Sequence, residues 1–208
     1  MRISRFNSKM ISMESFDEVL NRVEAAHGHL CAGIVLGVRM SLLGLKRLGL
    51  EGPDRKRLVT YVEIDRCATD AIEQVTGCRL GKRALKFRDW GKMAATFVDL
   101  ETGRAIRITA LEDSRDLADR LYPDVQPEGK RQMQAYRELP DSQLFREQWV
   151  RVPLPDTEMP GHKGERFICP GCGEGVSFGR IAEVNGERLC LSCAHPELRY
   201  WEPADREK

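Results

Sequence analysis

Apolar residues near the start of the chain recur at helical spacing. Ser15-Phe16-Asp17-Glu18 has the form of a capping box, and Phe16, Val19, Leu20 and Val23 fall on one face of a helix running to about Ala26. His27-Gly28-His29-Leu30-Cys31 interrupts it. A second helix is predicted from about Ala32 to Leu48, ended by Gly49 and Pro53. Within it Gly33, Gly37 and Ser41 recur every fourth residue, a narrow stripe suited to close packing against another backbone and, with the long linker described below, suggestive of a dimer. The pattern then changes to strand type at Leu58–Ile64. Asp65-Arg66-Cys67-Ala68 turns into a short helix beginning near Thr69 and stopped by Gly77. Lys92–Leu100 and Arg104–Leu111 read as a hairpin joined by Glu101-Thr102-Gly103, and helical patterns resume at about 113–121, 127–137 and 140–149.

From Pro153 to Gly164 the periodicity is lost, with Pro155, Pro160 and Gly161 between. The expected organisation is an α+β core domain over 1–150, with an antiparallel or mixed sheet and helices, a linker over 151–165, and a small zinc ribbon over 166–208. The ribbon follows from two CxxC pairs, Cys169/Cys172 and Cys190/Cys193. Each pair puts two thiolates on one tight turn, and the four together complete a tetrahedral sulfur site for zinc. Val176–Ile181 and Glu183–Leu189 carry strand-forming residues between the pairs, with Asn185-Gly186 suited to a type I′ turn. So small a module should need its metal to fold. A pair of redox dithiols is the alternative, but no βαβ pattern surrounds either CxxC.

Seven cysteines, four of them in these pairs, suit thiolate ligands in a reducing compartment better than a disulfide framework, so a cytoplasmic protein is expected. The longest apolar run, Leu30–Val38, is too short to cross a bilayer, and the N-terminus lacks the apolar core of a signal peptide. A formal charge of +1 gives no bias toward nucleic acid, and residues 150–208 hold 8 basic against 10 acidic side chains, net −2. A protein partner is therefore the expectation for the ribbon.

His27, His29 and Cys31 alternate, which in an extended turn directs all three to one side. Two imidazoles and a thiolate suit zinc or another late first-row metal, and Cys31 falls at a helix N-terminus, where the dipole favours thiolate. Cys67, at a strand-to-helix turn, is the natural fourth ligand. The competing reading is a satisfied core histidine and a buried, inert thiol.

The blocks HGHLCAGIVLGVRM, VEIDRCATDAIEQVTGCRLGK and DWGKMAATF resemble the FmdE family, named after a component of formylmethanofuran dehydrogenase, over roughly residues 14–112. The resemblance implies an α+β core, a homodimer, a C-terminal zinc ribbon, and a metal or active-site cluster at His27, His29, Cys31, Cys67 and Cys78. Ala32 stands where the family commonly has proline. Arg79, Arg83 and Ala84 make the loop after Cys78 more basic than is usual there.

Cys31 and Cys78 are the candidate catalytic thiols. Cys78 is expected to lie beside Arg79 and Lys82, whose charges favour thiolate, with a packing cysteine as the alternative. Six cations fall between Arg79 and Lys92 against one acid, Asp89, with Phe87 and Trp90 the aromatics among them. That run reads either as an anion-binding patch or as a solvated loop. Asp70 and Glu73 read as acid/base groups or as helix caps. Two functions follow. One is a metal-dependent or redox enzyme, or an accessory component of a molybdenum or tungsten enzyme system, with a second transition metal in the core. The other is a non-catalytic, metal-binding regulatory or interaction module.

Overall fold

The computed structural model describes residues 14–50 and 57–202; Pro53 and the extreme N-terminus, on which two expectations fall, lie outside them. The chain divides into two compact units, Met1–Pro153 and Leu154–Lys208. Among the described residues no helix is long and apolar enough to cross a membrane.

The first unit opens on helix α1 (Phe16–His27). Its capping box forms as the sequence predicts, with Glu18 N–H donating to Ser15 Oγ at 3.3 Å and Ser15 N–H donating to Glu18 Oε2 at 2.7 Å. Helix α2 (Ala32–Leu48) is buried around most of its circumference and ends at Gly49 in the left-handed region. Strand β1 (Leu58–Val62) leads to α3 (Cys67–Thr76), then to β2 (Leu85–Phe87), β3 (Ala94–Asp99) and β4 (Ala105–Ala110). Helices α4 (Asp113–Leu121), α5 (Glu128–Glu138) and the single turn α6 (Asp141–Leu144) precede β5 (Phe145–Val150).

The sheet order is β2-β1-β3-β4-β5, mixed because β2 runs parallel to β1 while the other pairings are antiparallel. Two expectations are corrected. Residues 140–149 form one helical turn and then an edge strand, because Phe145–Val150 find an unpaired partner in β4 that outweighs weak local helix propensity. The basic loop after Cys78 contains β2, whose three residues are too few for alternation to show.

One face of the sheet is packed by α2. Phe97 of β3 and Ile106 of β4 are fully buried there, and Gly44 leaves the room that the Phe97 ring occupies. Gly37 serves α3 in the same way: a Cβ on it would meet Ala68 O at 2.6 Å and the Ala71 methyl at 2.8 Å. The small-residue stripe, which in the sequence suggests a dimer, is thus consumed within the chain. Arg39 ties α2 to α5, donating to Tyr136 O at 2.8 Å, Leu139 O at 2.9 Å and Asp141 Oδ1 at 2.6 Å, so terminal carbonyls of α5 are satisfied.

The second unit is built of two short hairpins. Strands β6 (Phe167–Ile168) and β7 (Gly175–Val176) pair around the first CxxC. Strands β8 (Ile181–Val184) and β9 (Glu187–Cys190) flank Asn185-Gly186, both at positive φ as a type I′ turn requires, and α7 (Leu191–Ala194) follows.

Packing at Gly37 yields a test. Gly37→Ala gains roughly 1 kcal/mol of helix propensity but overpacks the α2–α3 contact, for a net loss of about 1–2 kcal/mol. Gly129→Ala, in α5 with nothing within 4 Å of a Cβ, should be neutral or stabilising. Urea denaturation of the two variants reads the difference, and equal midpoints would contradict the packing assigned to Gly37.

Candidate metal centres

The core cluster is assembled by three helix ends. His27 is the last residue of α1, and Gly28 at φ 97° reverses the chain after it, so that His29 comes back beside His27 with ring centroids 4.7 Å apart. Cys31 is the N-cap of α2, and Cys67 is the first residue of α3. The Gly37 packing holds these two helices close, and Gly33 keeps the space between their N-termini clear. A Cβ there would stand 3.3 Å from Cys67 Cβ and 3.7 Å from Cys31 Sγ. One donor atom from each of His27, His29, Cys31 and Cys67 lies within 4.8 Å of the others. The convergence is not the alternation of an extended turn, because a helix end and a left-handed glycine produce it.

His27 indicates which kind of ligand would suit the cluster. Its Nδ1 lies 2.9 Å from Asp70 Oδ2, so a proton on Nδ1 donates to the carboxylate, and in the neutral ring this leaves the Nε2 lone pair for a ligand. That Nε2 is buried without a hydrogen-bond partner. A buried acceptor so placed is costly unless something fills the gap between the donors, and a metal cation fits that requirement. In the absence of an ion, burial and then the hydrogen bond to Cys31 push the Cys67 thiol up. A cation among the sulfurs acts in the opposite direction. Two thiol and two imidazole donors suit zinc or a similarly borderline-soft ion.

Asp70 was missed as a partner of His27. Its signal was the Cys67-x-x-Asp70 spacing, which puts both residues on one face of α3. Beside the cluster opens a cleft of about 450 Å³, with His27, Cys67 and Asp70 at one end and Val62, Ile64 and Leu85 among its apolar walls.

Cys78 lies elsewhere. It is 2% exposed, its thiol facing Leu58 O at 3.4 Å and Thr60 Oγ1 at 3.5 Å. Burial pushes this thiol up, the reverse of what Arg79 and Lys82 were expected to do. Arg79 pairs instead with Glu73 at 3.7 Å. The structure therefore does not bring Cys78 together with the other core candidates.

In the second unit Cys169, Cys172, Cys190 and Cys193 also converge within 4.8 Å. The first pair sits on the β6–β7 turn, where Gly173 N–H donates to Cys169 O at 2.8 Å. The second sits where β9 passes into α7. Cys190 N–H donates to Cys169 Sγ at 3.3 Å, which lowers the Cys169 thiol. The Ser192 hydroxyl leads in drawing Cys190 down to about 6. Cys193 is pushed up to about 12, first by its hydrogen bond with Cys190, and Cys172 is raised as well, so two of the four sulfurs lean toward thiolate and a bound zinc ion would draw the other two the same way.

Known proteins divide along the same lines. The family model FmdE, described as "Molybdenum formylmethanofuran dehydrogenase operon", matches residues 26–146, and the prokaryotic dksA/traR C4-type zinc finger matches residues 164–197. The chain is similar to a probable S-adenosyl-L-methionine-binding protein of Archaeoglobus fulgidus, 29% identical over 206 residues, covering 85% of this chain and 52% of that protein. It thus spans about half the length of that curated relative. Among solved structures it is similar to an FmdE-like protein of the tungsten formylmethanofuran dehydrogenase type from Syntrophus aciditrophicus. There the TM-score is 0.60 at 22% identity, over 89% of this chain and 95% of that one, a likeness of fold. The chain belongs to the FmdE family, and its C-terminal domain is a C4 zinc finger.

Proposed function

We propose that the core domain holds a second metal ion on His27, His29, Cys31 and Cys67, and that this ion is the functional centre, presented to a small molecule entering the adjoining cleft. The observation that carries the reading is the buried, unpartnered Nε2 of His27, on a residue whose ring offers a donor within 4.8 Å of three others, beside a cleft of about 450 Å³. An ion there supplies Lewis acidity or stabilises a thiolate. The chain's own part is to orient the donors. Asp70 orients the His27 ring, the N-termini of α2 and α3 bring Cys31 and Cys67 together, and Gly33 leaves the ion room. In this reading the protein is an enzyme or an accessory component of a molybdenum or tungsten enzyme system, as the operon in the family's description suggests. The zinc finger is structural, and its exposed Leu198, Tyr200 and Trp201 favour contact with a protein partner over nucleic acid. A cytoplasmic location and a homodimer of the 23.6 kDa chain, measurable by light scattering, belong to the same proposal.

A second reading rests on the number of donors. Four protein ligands are enough to close a tetrahedral zinc shell, which would make the core ion structural and the protein a non-catalytic module.

Metal analysis separates these cases. Wild-type protein should carry two ions per chain, Cys67→Ser one, and Cys172→Ser one, with the core variant keeping its zinc finger. Asp70→Asn should weaken the core ion's affinity roughly 10- to 100-fold while leaving the zinc finger's unchanged. A wild-type content of one ion per chain, unaffected by Cys67→Ser, would overturn the reading. With two ions bound, X-ray absorption that finds only protein donors on both would favour the closed module.

Thiol mapping gives an independent check. Substoichiometric iodoacetamide should label Cys31 or Cys67 after chelation and leave Cys78 unlabelled in the folded protein, because its sulfur is in the core. Labelling of Cys31 without chelator would indicate an ion with an open coordination position. Early labelling of Cys78 would contradict its burial.

A further inference from the structure

The sheet has a second face, and its chemistry differs from that of the first. Thr60, Phe97 and Ile106 lie side by side across β1, β3 and β4, in the row that α2 packs. The neighbouring row, Tyr61, Thr96, Arg107 and Gln148, therefore faces the other way. On that face is a pocket of about 250 Å³, formed wholly by residues of the first unit and on the side of the sheet away from the α2 row.

Its floor is polar and already organised. Arg107 holds Glu63 in a two-pronged ion pair, Nε to Oε1 and Nη2 to Oε2 both at 2.7 Å, and also donates to Thr109 Oγ1 at 2.8 Å. Glu63 is only 3% exposed, and the Thr96 hydroxyl lies beside the pair in the lining. The walls are apolar and aromatic: Tyr61, Trp90, Val150 and Val152. Trp90 is 61% exposed, which leaves its ring surface open to a stacking ligand.

The rim is cationic. Arg88 and Arg151 line it, the Arg88 guanidinium 5.7 Å from the centre of the Tyr61 ring, and Lys92 Nζ stands 5.6 Å from the centre of the Trp90 ring. Among the described residues Glu63 is the one carboxylate of the lining, and Arg107 neutralises it. The pocket thus has a net positive charge from Arg88 and Arg151, reinforced by Lys92. This resolves part of the basic run between Arg79 and Lys92: two of its cations and its Trp90 gather at one concavity.

We propose that this pocket binds a mononucleotide-sized ligand, a heteroaromatic ring carrying a phosphate. The ring packs against Trp90, Val150 and Val152 and meets the Thr96 hydroxyl and the Glu63–Arg107 pair at the floor. The phosphate faces Arg88 and Arg151. Size decides against a larger ligand, since about 250 Å³ lies at or just below the range of ordinary small-molecule sites and has no room for a dinucleotide or for stacked bases of a polymer. The proposal is independent of the core cluster, none of whose four candidate donors lines this pocket.

Calorimetric titration of the full-length, zinc-loaded protein tests it, with adenosine monophosphate, adenosine and inorganic phosphate as probes. Adenosine monophosphate should bind measurably, and adenosine and phosphate should each bind at least about tenfold more weakly. Trp90→Leu should weaken the nucleotide roughly 5- to 100-fold through lost stacking. Arg88→Gln combined with Arg151→Gln should abolish the preference for the phosphorylated probe and its dependence on salt. These side chains are exposed, so thermal unfolding of the variants should match wild type and separate lost binding from lost fold. Phosphate binding as tightly as the nucleotide would reduce the site to an anion patch and overturn the proposal. So would nucleotide binding that Trp90→Leu leaves intact, or no heat from any probe.

Discussion

The first unit depends on the close approach of α2 to α3 across Gly37. A methyl group at that position would overlap the backbone of Ala68, so the contact exists only because the side chain is absent. Its cost is the lower helix propensity of glycine, about 1 kcal/mol, and its return is the juxtaposition of two helix N-termini. Cys31 caps one and Cys67 begins the other, thirty-six positions apart in sequence. The Gly33 position continues the same stripe into the metal cluster, so packing and site are one design. The stripe that packs the helices also keeps the space beside Cys31 and Cys67 clear.

The two candidate metal centres use different physics. In the C4 zinc finger the candidate ligands come from short hairpins and a one-turn helix, with almost no buried apolar side chains among the described residues, so its folding is expected to depend on the metal. The core cluster rests on elements that a large apolar core already fixes, among them Leu20, Val23, Ile34 and Val35. Preformed donors need not contribute to folding, so an ion proposed there would be exchangeable without loss of the fold.

Burial also sorts the thiols. Cations follow Cys78 in sequence and suggest a reactive group, yet its sulfur turns inward to Leu58 O while Arg79 turns to Glu73. Neighbours along the chain do not set the field at a side chain; the direction of the side chain does. His27 shows the converse. Its governing partner, Asp70, is forty-three residues away and acts through a single hydrogen bond.

Much of this protein was legible in its sequence because the relevant signals are local. The capping box at Ser15, the glycine ends of α1, α2 and α3, the Asn185-Gly186 turn and the paired cysteines each depend on residues a few positions apart. The grouping of His27, His29, Cys31 and Cys67 as candidate donors was legible from their residue types, though the sequence suggested a different backbone path to their convergence. What only the tertiary structure decided was everything settled by partners distant in sequence. Phe145–Val150 became a strand because β4 had an open edge, and Leu85–Phe87 because β1 had another. Gly37 serves an internal helix contact, Cys78 is sealed in the core, and Trp90 shares a pocket with Arg151. Backbone hydrogen bonds across a sheet and burial against a neighbouring element are worth more than the few tenths of a kcal/mol that separate local preferences. Where those two scales compete, the residue pattern names the candidates and the assembled fold selects among them.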